Sequence, residues 1–206
     1  LPVLKIGDLT AEVPIIQGGM AIRLSTARLA AAVAQEGGIG LIAASGMAFD
    51  ELRKEIRLAR KLTGGKGIIG INAMVAAREF LGLITTAAEE KIDLIVAGAG
   101  FSRDIFAVGR EHNVAVVPIV SSVKLAKISE KLGAAAIVVE GTEAGGHLGT
   151  QQSIKDILPD IVKAVNIPVI AAGGATDGAA VAELLKLGAS GVQMGVVLPP
   201  AKNPTV

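Results

Sequence analysis

The stretch Ala134-Ala-Ala-Ile-Val-Val-Glu-Gly-Thr-Glu-Ala-Gly-Gly-His-Leu-Gly149 decides how this chain is read. Its first six residues are apolar without interruption. Strands covered on both faces read that way, whereas strands with one wet face alternate. The run then breaks into a glycine-rich segment carrying His147, one of only two histidines. Gly145 and Gly146 lack a Cβ, so a flat ligand can approach the backbone there. A titratable imidazole on a glycine-rich loop at the end of a buried strand points to a reaction site. The alternative is a surface loop with an incidental histidine.

Working outward, seven more runs have the same character: 13–17, 38–43, 67–73, 92–97, 114–119, 168–172 and 190–195, with 135–140 at the centre of the opening stretch. Amphipathic segments separate them at 25–36, 50–62, 78–91, 102–113, 122–132, 153–165 and 177–187. Several begin at Ser or Asp, the preferred N-caps. Lys131-Leu-Gly133 and Lys186-Leu-Gly188 end in the Lys-then-Gly manner of a helix C-terminus.

Strand and helix recur roughly every 20 to 30 residues, the mark of repeated βα units. Eight such strands predict an α/β fold, a closed (β/α)8 TIM barrel, as a single domain over residues 1–206. An open doubly wound sheet is the competitor, but it concentrates glycine after its first strand. Here glycine-rich loops follow nearly every strand. Val196 to Val206 leaves no room for an eighth helix, so either the barrel lacks its last helix and lid segment or residues are missing between Gly195 and Val196.

Composition narrows the function classes. About half the 206 residues are apolar, 26 are glycine, and there is no cysteine, hence no disulfide framework and no thiol nucleophile. A cytoplasmic location is expected. No apolar run approaches the roughly 18 residues of a membrane span, so no membrane partner is expected. The net charge is +1 and the only aromatics are four phenylalanines. Stacking platforms and a basic stripe are therefore missing, which argues against nucleic acid. With one histidine among glycines and no second nitrogen or thiolate ligand in the pattern, no metal site is expected.

In a barrel of this kind the reacting face lies where the strands' C-terminal ends open into loops. The candidates fall there: Gly18-Gly19-Met20 after the first strand, Asn72 at the end of the third, Gly98-Ala-Gly100 after the fourth, Ser121-Ser122 after the fifth, Glu140 and the His147 loop after the sixth, Gly173-Gly174 after the seventh, and Gln193-Met194-Gly195 closing the eighth. The last two loops are the usual phosphate site of the fold, aided by a helix start near Asp177. Each has a bland reading as well: Gly18-Gly19 as a tight turn, Asn72 as a helix cap, Glu140 as a partner for lysine. His112 sits at the opposite face and reads as structural.

Together these residues resemble the nitronate monooxygenase family, formerly 2-nitropropane dioxygenases, and are similar to the flavin-dependent enoyl-acyl-carrier-protein reductase II. The resemblance rests on Pro14-Ile-Ile-Gln-Gly-Gly-Met20, Glu36-Gly-Gly-Ile-Gly40, Gly70-Ile-Asn72, Gly98-Ala-Gly100, Pro118-Ile-Val-Ser-Ser122, Glu140 to Gly149, Pro168-Val-Ile-Ala-Ala-Gly-Gly174 and Gly188-Ala-Ser-Gly-Val-Gln-Met-Gly195. It implies an FMN cofactor contacted by Gly19, Met20, Asn72, Glu140, Gly146, Gly173, Gly174, Gln193, Met194 and Gly195, with His147 as catalytic histidine. It implies small-molecule partners, a nitronate or nitroalkane and O2; a homodimer is left open. NAD(P)H-dependent enoyl reduction and a non-catalytic flavin or phosphate-binding barrel remain alternatives. Two departures are visible. The family continues past Gln-Met-Gly with Thr-Arg-Phe, where this chain has Val196, and Leu198-Pro-Pro-Ala-Lys-Asn-Pro204 resembles a segment that the family places further on. The His147 loop is expected to face Gly173-Gly174 and Gln193–Gly195 across the site.

Overall fold

The computed structural model describes residues 2–20, 23–145 and 150–195. His147, Gly146 and the junction at Val196 lie outside the described residues. The chain opens with an antiparallel hairpin, β1 (Leu4–Ile6) and β2 (Leu9–Ala11). The barrel strands follow as β3 (Ile15–Gln17), β4 (Ile39–Ala43), β5 (Ile68–Met74), β6 (Leu94–Gly98), β7 (Ala115–Val120), β8 (Ile137–Glu140), β9 (Val169–Ala172) and β10 (Gly191–Met194). Between them lie α1 (Ala27–Gln35), α2 (Phe49–Leu62), α3 (Phe80–Glu89), α4 (Asp104–His112), α5 (Val123–Leu132), α6 (Ile154–Ala164) and α7 (Gly178–Lys186). All eight barrel strands are parallel, and β10 pairs with β3 to close the ring. The eight apolar runs are the eight barrel strands.

The consecutive apolar pattern has a direct cause. Successive side chains of a strand point to opposite faces, and here both faces are dry. Leu41 joins the core inside the barrel while Ile42 packs outward under the helices. Val96 and Ile95 divide in the same way. The outer layer is completed by helical residues such as Leu52, Ile56, Leu83, Ile84 and Leu158, all fully buried or nearly so. α1 rests so closely on β4 that a Cβ on Gly40 would stand 2.0 Å from the Ala30 carbonyl oxygen.

The hairpin is the element that sequence reading passed over. Leu4, Ile6 and Ala11 belong to the inner core. A Cβ on Gly191, at the start of β10, would meet Leu4 Cδ2 at 2.9 Å. The hairpin therefore plugs the N-terminal end of the barrel, leaving the opposite end for the site. Its two-residue turn, Gly7-Asp8, uses Gly7 at φ +56, the left-handed conformation that tight hairpin turns demand.

The expected caps hold at three helices. Ser122 accepts from Leu125 N, Ser153 from Lys155 N, and Asp177 from Ala180 N. Gly133 ends α5 in the left-handed conformation. Ser25 is a correction: α1 is capped at Thr26, whose side chain makes no capping bond. The α1 N-terminus is instead met from α2, where the Glu55 carboxylate accepts from Ala27 N at 2.6 Å. Ser25 is turned inward.

Candidate active site

The C-terminal ends of the strands open into a cavity of about 880 Å³, within the range of small-molecule and cofactor sites. It is lined by Gly19, Met20, Asn72, Glu140, Gly173, Gly174, Gln193, Met194 and Gly195, so every described residue proposed for cofactor binding is brought to one place. Ala99, Ile119 and Glu143, from three of the quoted motifs, also line it, as do Ser45 and Thr176, which lie outside every motif. Ser121-Ser122 and Gly100 are not among the lining residues. Ser122 is the α5 cap.

The loop after β3 is held from three sides. Gly18 N donates to Met194 O at 2.8 Å, tying the loop to β10. Gly19 lies against Asn72, where a Cβ would stand 2.3 Å from the Asn72 Cβ. From beneath, Gln17 and Ser25 form a buried polar pair. Gln17 is 4% exposed and Ser25 fully buried. The Gln17 side-chain amide donates through Nε2 to Gly18 O and, at 2.8 Å, to Ser25 Oγ. Its Oε1 accepts from Leu41 N at 3.2 Å. Ser25 Oγ accepts from Met20 N at 2.8 Å and donates to Gly18 O at 3.1 Å. Gln17 was legible as one polar residue ending an apolar run. Nothing in the local sequence distinguishes Ser25 from a helix cap.

On β5, Asn72 donates through Nδ2 to Val96 O at 3.5 Å, and its backbone carbonyl oxygen accepts from Ala44 N at 2.9 Å. Asn72 is thus a strand residue against the first loop, not the helix cap of its bland reading. Ser45 Oγ accepts from Met74 N at 2.8 Å and fixes the next stretch of the rim. After β6, Ala99 adopts φ +52. A non-glycine residue in that region is strained by about 1–2 kcal/mol, and such strain is characteristic of ligand-binding loops.

The arrangement of β8 and β9 corrects the expectation that their loops face each other. These strands are neighbours in the barrel, and the start of the His147 loop packs directly on the glycine pair. A Cβ on Gly173 would stand 2.9 Å from Ala144 N. Gly173 and Gly174 have φ +120 and +71, so backbone conformation favours glycine at both, most strongly at Gly173. The strand across the ring from β8 is β4. The loop's base is clamped: Gly141 N donates to Ala172 O and Thr142 N to Gln152 O, each at 3.0 Å. Glu143 accepts from Ser153 Oγ at 2.5 Å and from Ile154 N at 3.0 Å. Desolvation pushes the Glu143 carboxyl upward, but these hydrogen bonds and Lys155 outweigh it and hold the group below the usual carboxylate range. Glu143 is therefore a charged cap on α6.

Asp177 corrects another expectation. Its carboxylate already accepts from Ala180 N at 2.9 Å, so the α7 start is capped by an acid rather than open to an anion. The amides just upstream differ. No hydrogen bond among the described residues uses the backbone N–H of Gly174, Ala175 or Thr176, and all three residues line the cavity. Successive unpaired amides next to left-handed glycines form the concavity that binds anions. Beside them, Gln193 Oε1 is buried with no hydrogen-bond partner. A buried acceptor left unpaired costs about 1–3 kcal/mol. In a cavity wall, that acceptor is suited to a ligand donor.

Comparison with known proteins matches the nitronate monooxygenase family model over residues 4–90 and 65–202. The chain belongs to the nitronate monooxygenase family. Among solved structures, this family member superposes on FabK from Thermotoga maritima with a TM-score of 0.85 and 39% identity, covering 90% of this chain and 58% of that one. A nitroalkane oxidase from Streptomyces ansochromogenes gives a TM-score of 0.81 and 26% identity, covering 90% and 65%. A probable nitronate monooxygenase of Staphylococcus aureus (strain MSSA476) is 32% identical over 232 residues, covering 91% of this chain and 64% of the relative. A (3aS,4S,5R,7aS)-5-hydroxy-7a-methyl-1-oxo-octahydro-1H-indene-4-carboxyl-CoA dehydrogenase of Rhodococcus jostii (strain RHA1) is 34% identical over 182 residues, covering 88% and 50%. The chain thus spans about half to two thirds of the length of these relatives.

Proposed function

We propose that this barrel binds FMN and oxidises alkyl nitronates with O2, giving a carbonyl compound and nitrite. The observation that carries the cofactor is the buried, unpaired Gln193 Oε1 beside the unused amides of Gly174, Ala175 and Thr176. A flavin mononucleotide has a matching pair of features, an imide N–H donor on its ring and a phosphate dianion on its tail. Gly19, Met20, Asn72 and Gln193 would hold the ring, and the Gly173–Thr176 segment with Gly195 would hold the phosphate. Glu140 borders the same cavity.

When bound, the flavin supplies a two-electron acceptor that O2 can reoxidise. The chain's own part is positioning and exclusion of water by a largely apolar cavity. His147, which the resemblance assigns as catalytic, acts in one of two ways. As a neutral imidazole it removes the α-proton of a nitroalkane. As an imidazolium it stabilises the anionic nitronate. The nitronate reading is supported by the family and by the naming of the S. aureus relative.

A second reading is an NAD(P)H-dependent enoyl reductase, favoured by the 39% identity to FabK. Anaerobic mixing separates the two. The FMN-loaded protein should bleach rapidly with ethyl nitronate and slowly with NADH; the reverse order establishes the reductase. Under either chemistry, His147→Ala should lower turnover by about 10²-fold or more, the usual weight of a general acid–base group. Parent-like turnover would remove His147 from the mechanism.

The reading of missing residues after Gly195 also has support. The match to the S. aureus relative runs over 232 residues, more than the 206 of this chain. The relative therefore carries residues within the matched span that this chain lacks, as a gap after Gly195 would require.

A further inference from the structure

We infer that Gln17 and Ser25 are positioning residues that set the Gly18-Gly19-Met20 loop in its ligand-ready conformation before any cofactor binds. The inference rests on the proposal that this loop is a flavin wall.

Every donor hydrogen of the two side chains, and both lone pairs of Ser25 Oγ, is used on the loop and its support. Leu41 N can only donate, so the Gln17 atom facing it is the carbonyl oxygen. That fixes Nε2 toward Gly18 O and Ser25 Oγ. Ser25 Oγ has one hydrogen and two lone pairs. The hydrogen goes to Gly18 O, and the lone pairs take Met20 N–H and Gln17 Nε2–H. No capacity remains on Ser25 Oγ. The pair links three places that sequence holds apart: β4 through Leu41, the loop through Gly18 and Met20, and the entry to α1 through Ser25 itself. Ser25 O also accepts from Ala43 N at 2.9 Å, which anchors the residue to the rim end of β4.

A purely structural role would need only a satisfied, buried polar pair. Here the partners are the carbonyl of one loop residue and the amide of another, two positions apart. Together they define the local path of the backbone between β3 and the cavity. Asn72 against Gly19 and Gln193 Cγ at 3.4 Å from a Cβ on Gly18 block the outward side. With the Gly18 N–Met194 O bond on the β10 side and the Ser25 N–Met20 O bond beneath, the polar pair holds the loop by attraction, while Asn72 and Gln193 only press on it.

The test uses Ser25→Ala and Gln17→Glu. The first removes an acceptor for two donors. The second keeps the size of the side chain and replaces the donor facing Gly18 O by an acceptor. Ile161→Val, a fully buried substitution on α6, serves as a control for general destabilisation. Two readouts are taken on the full chain. In the absence of FMN, hydrogen exchange of the Met20 amide should quicken at least tenfold in Ser25→Ala and stay parent-like in Ile161→Val. In FMN titrations followed by fluorescence, the Kd should rise tenfold or more in both loop variants and change less than twofold in the control. Unchanged Met20 exchange together with an unchanged Kd overturns the inference and leaves the flavin reading standing. A parent that binds no FMN overturns both. Loss of affinity in the control equal to that in the loop variants also overturns it, since general softening would then suffice.

Discussion

Gly19→Ala tests the geometry of the cavity wall most sharply. A Cβ built on Gly19 stands 2.3 Å from the Asn72 Cβ, 2.7 Å from Oδ1 and 2.8 Å from Cγ. Ordinary carbon contacts lie near 3.5–4 Å, so loop and strand must part by roughly 1 Å. The Asn72 amide tip can swing away, because its bond to Val96 O is long at 3.5 Å. Its Cβ cannot, since that atom belongs to β5, paired on both sides with β4 and β6. Overpacking of this kind costs about 1–3 kcal/mol. At roughly 2–4 °C per kcal/mol for a chain of this size, the melting temperature should fall by about 2–12 °C. FMN affinity should fall with it, since the displaced loop is a wall of the proposed flavin site. The identity of the clashing atom gives the discriminating control. Asn72→Gly, which removes the Cβ, should restore part of the loss in the double variant, whereas Asn72→Ala, which keeps it, should restore little. Calorimetry of the parent, the three single variants and the two double variants yields the two coupling energies. A Gly19→Ala protein with parental melting and FMN affinity would refute the reasoning, as would equal rescue by Asn72→Ala and Asn72→Gly.

Three further outcomes are expected. Leu4→Ala should cost about 2–5 kcal/mol, because Leu4 is 1% exposed and fills the plugged end of the barrel; denaturant unfolding measures it, and a loss below about 1 kcal/mol would show the hairpin to be dispensable. Ala99→Gly should raise the melting temperature by up to about 6 °C. It relieves about 1–2 kcal/mol of left-handed strain against about 0.4–1 kcal/mol of added unfolded-chain entropy, and a fall would contradict the φ of +52. Glu143→Gln should destabilise the chain at neutral pH in a pH-dependent way. The folded Glu143 pKa is depressed, so its contribution is present above the ordinary carboxylate range and fades as pH falls through the depressed value. Melting curves from pH 7 to pH 3 should converge, and a constant gap would show that the charge plays no part.

Much of this architecture was legible because barrel strands are buried on both faces. Leu41-Ile42 and Ile95-Val96 announce that burial by being apolar in succession. The hairpin was not legible in the same way. Leu4-Lys-Ile6 and Leu9-Thr-Ala11 are three-residue strands with one polar centre each, and only the Gly7-Asp8 pair marks the turn. The positions of the site residues were readable from their place after each strand, and the cavity gathers them. Their reasons were not. Gly19 reads as a tight turn or a flavin contact, but the space a side chain would take there is filled by Asn72. Gly173 reads as a phosphate cradle, but its backbone angle and the neighbouring Ala144 already require glycine. Ser25 reads as a cap, while the cap of α1 comes from Glu55, 28 residues away. Side-chain partners brought together from distant segments leave no periodic trace.

The central claim is that the mouth of this barrel is a flavin site, and the visible spectrum of the purified chain tests it most directly. After incubation with FMN and removal of free ligand, flavin absorption bands should remain with the protein. FMN at 100-fold its Kd should stabilise the fold by about 2.7 kcal/mol. A colourless protein whose melting temperature excess FMN leaves unchanged would contradict the account.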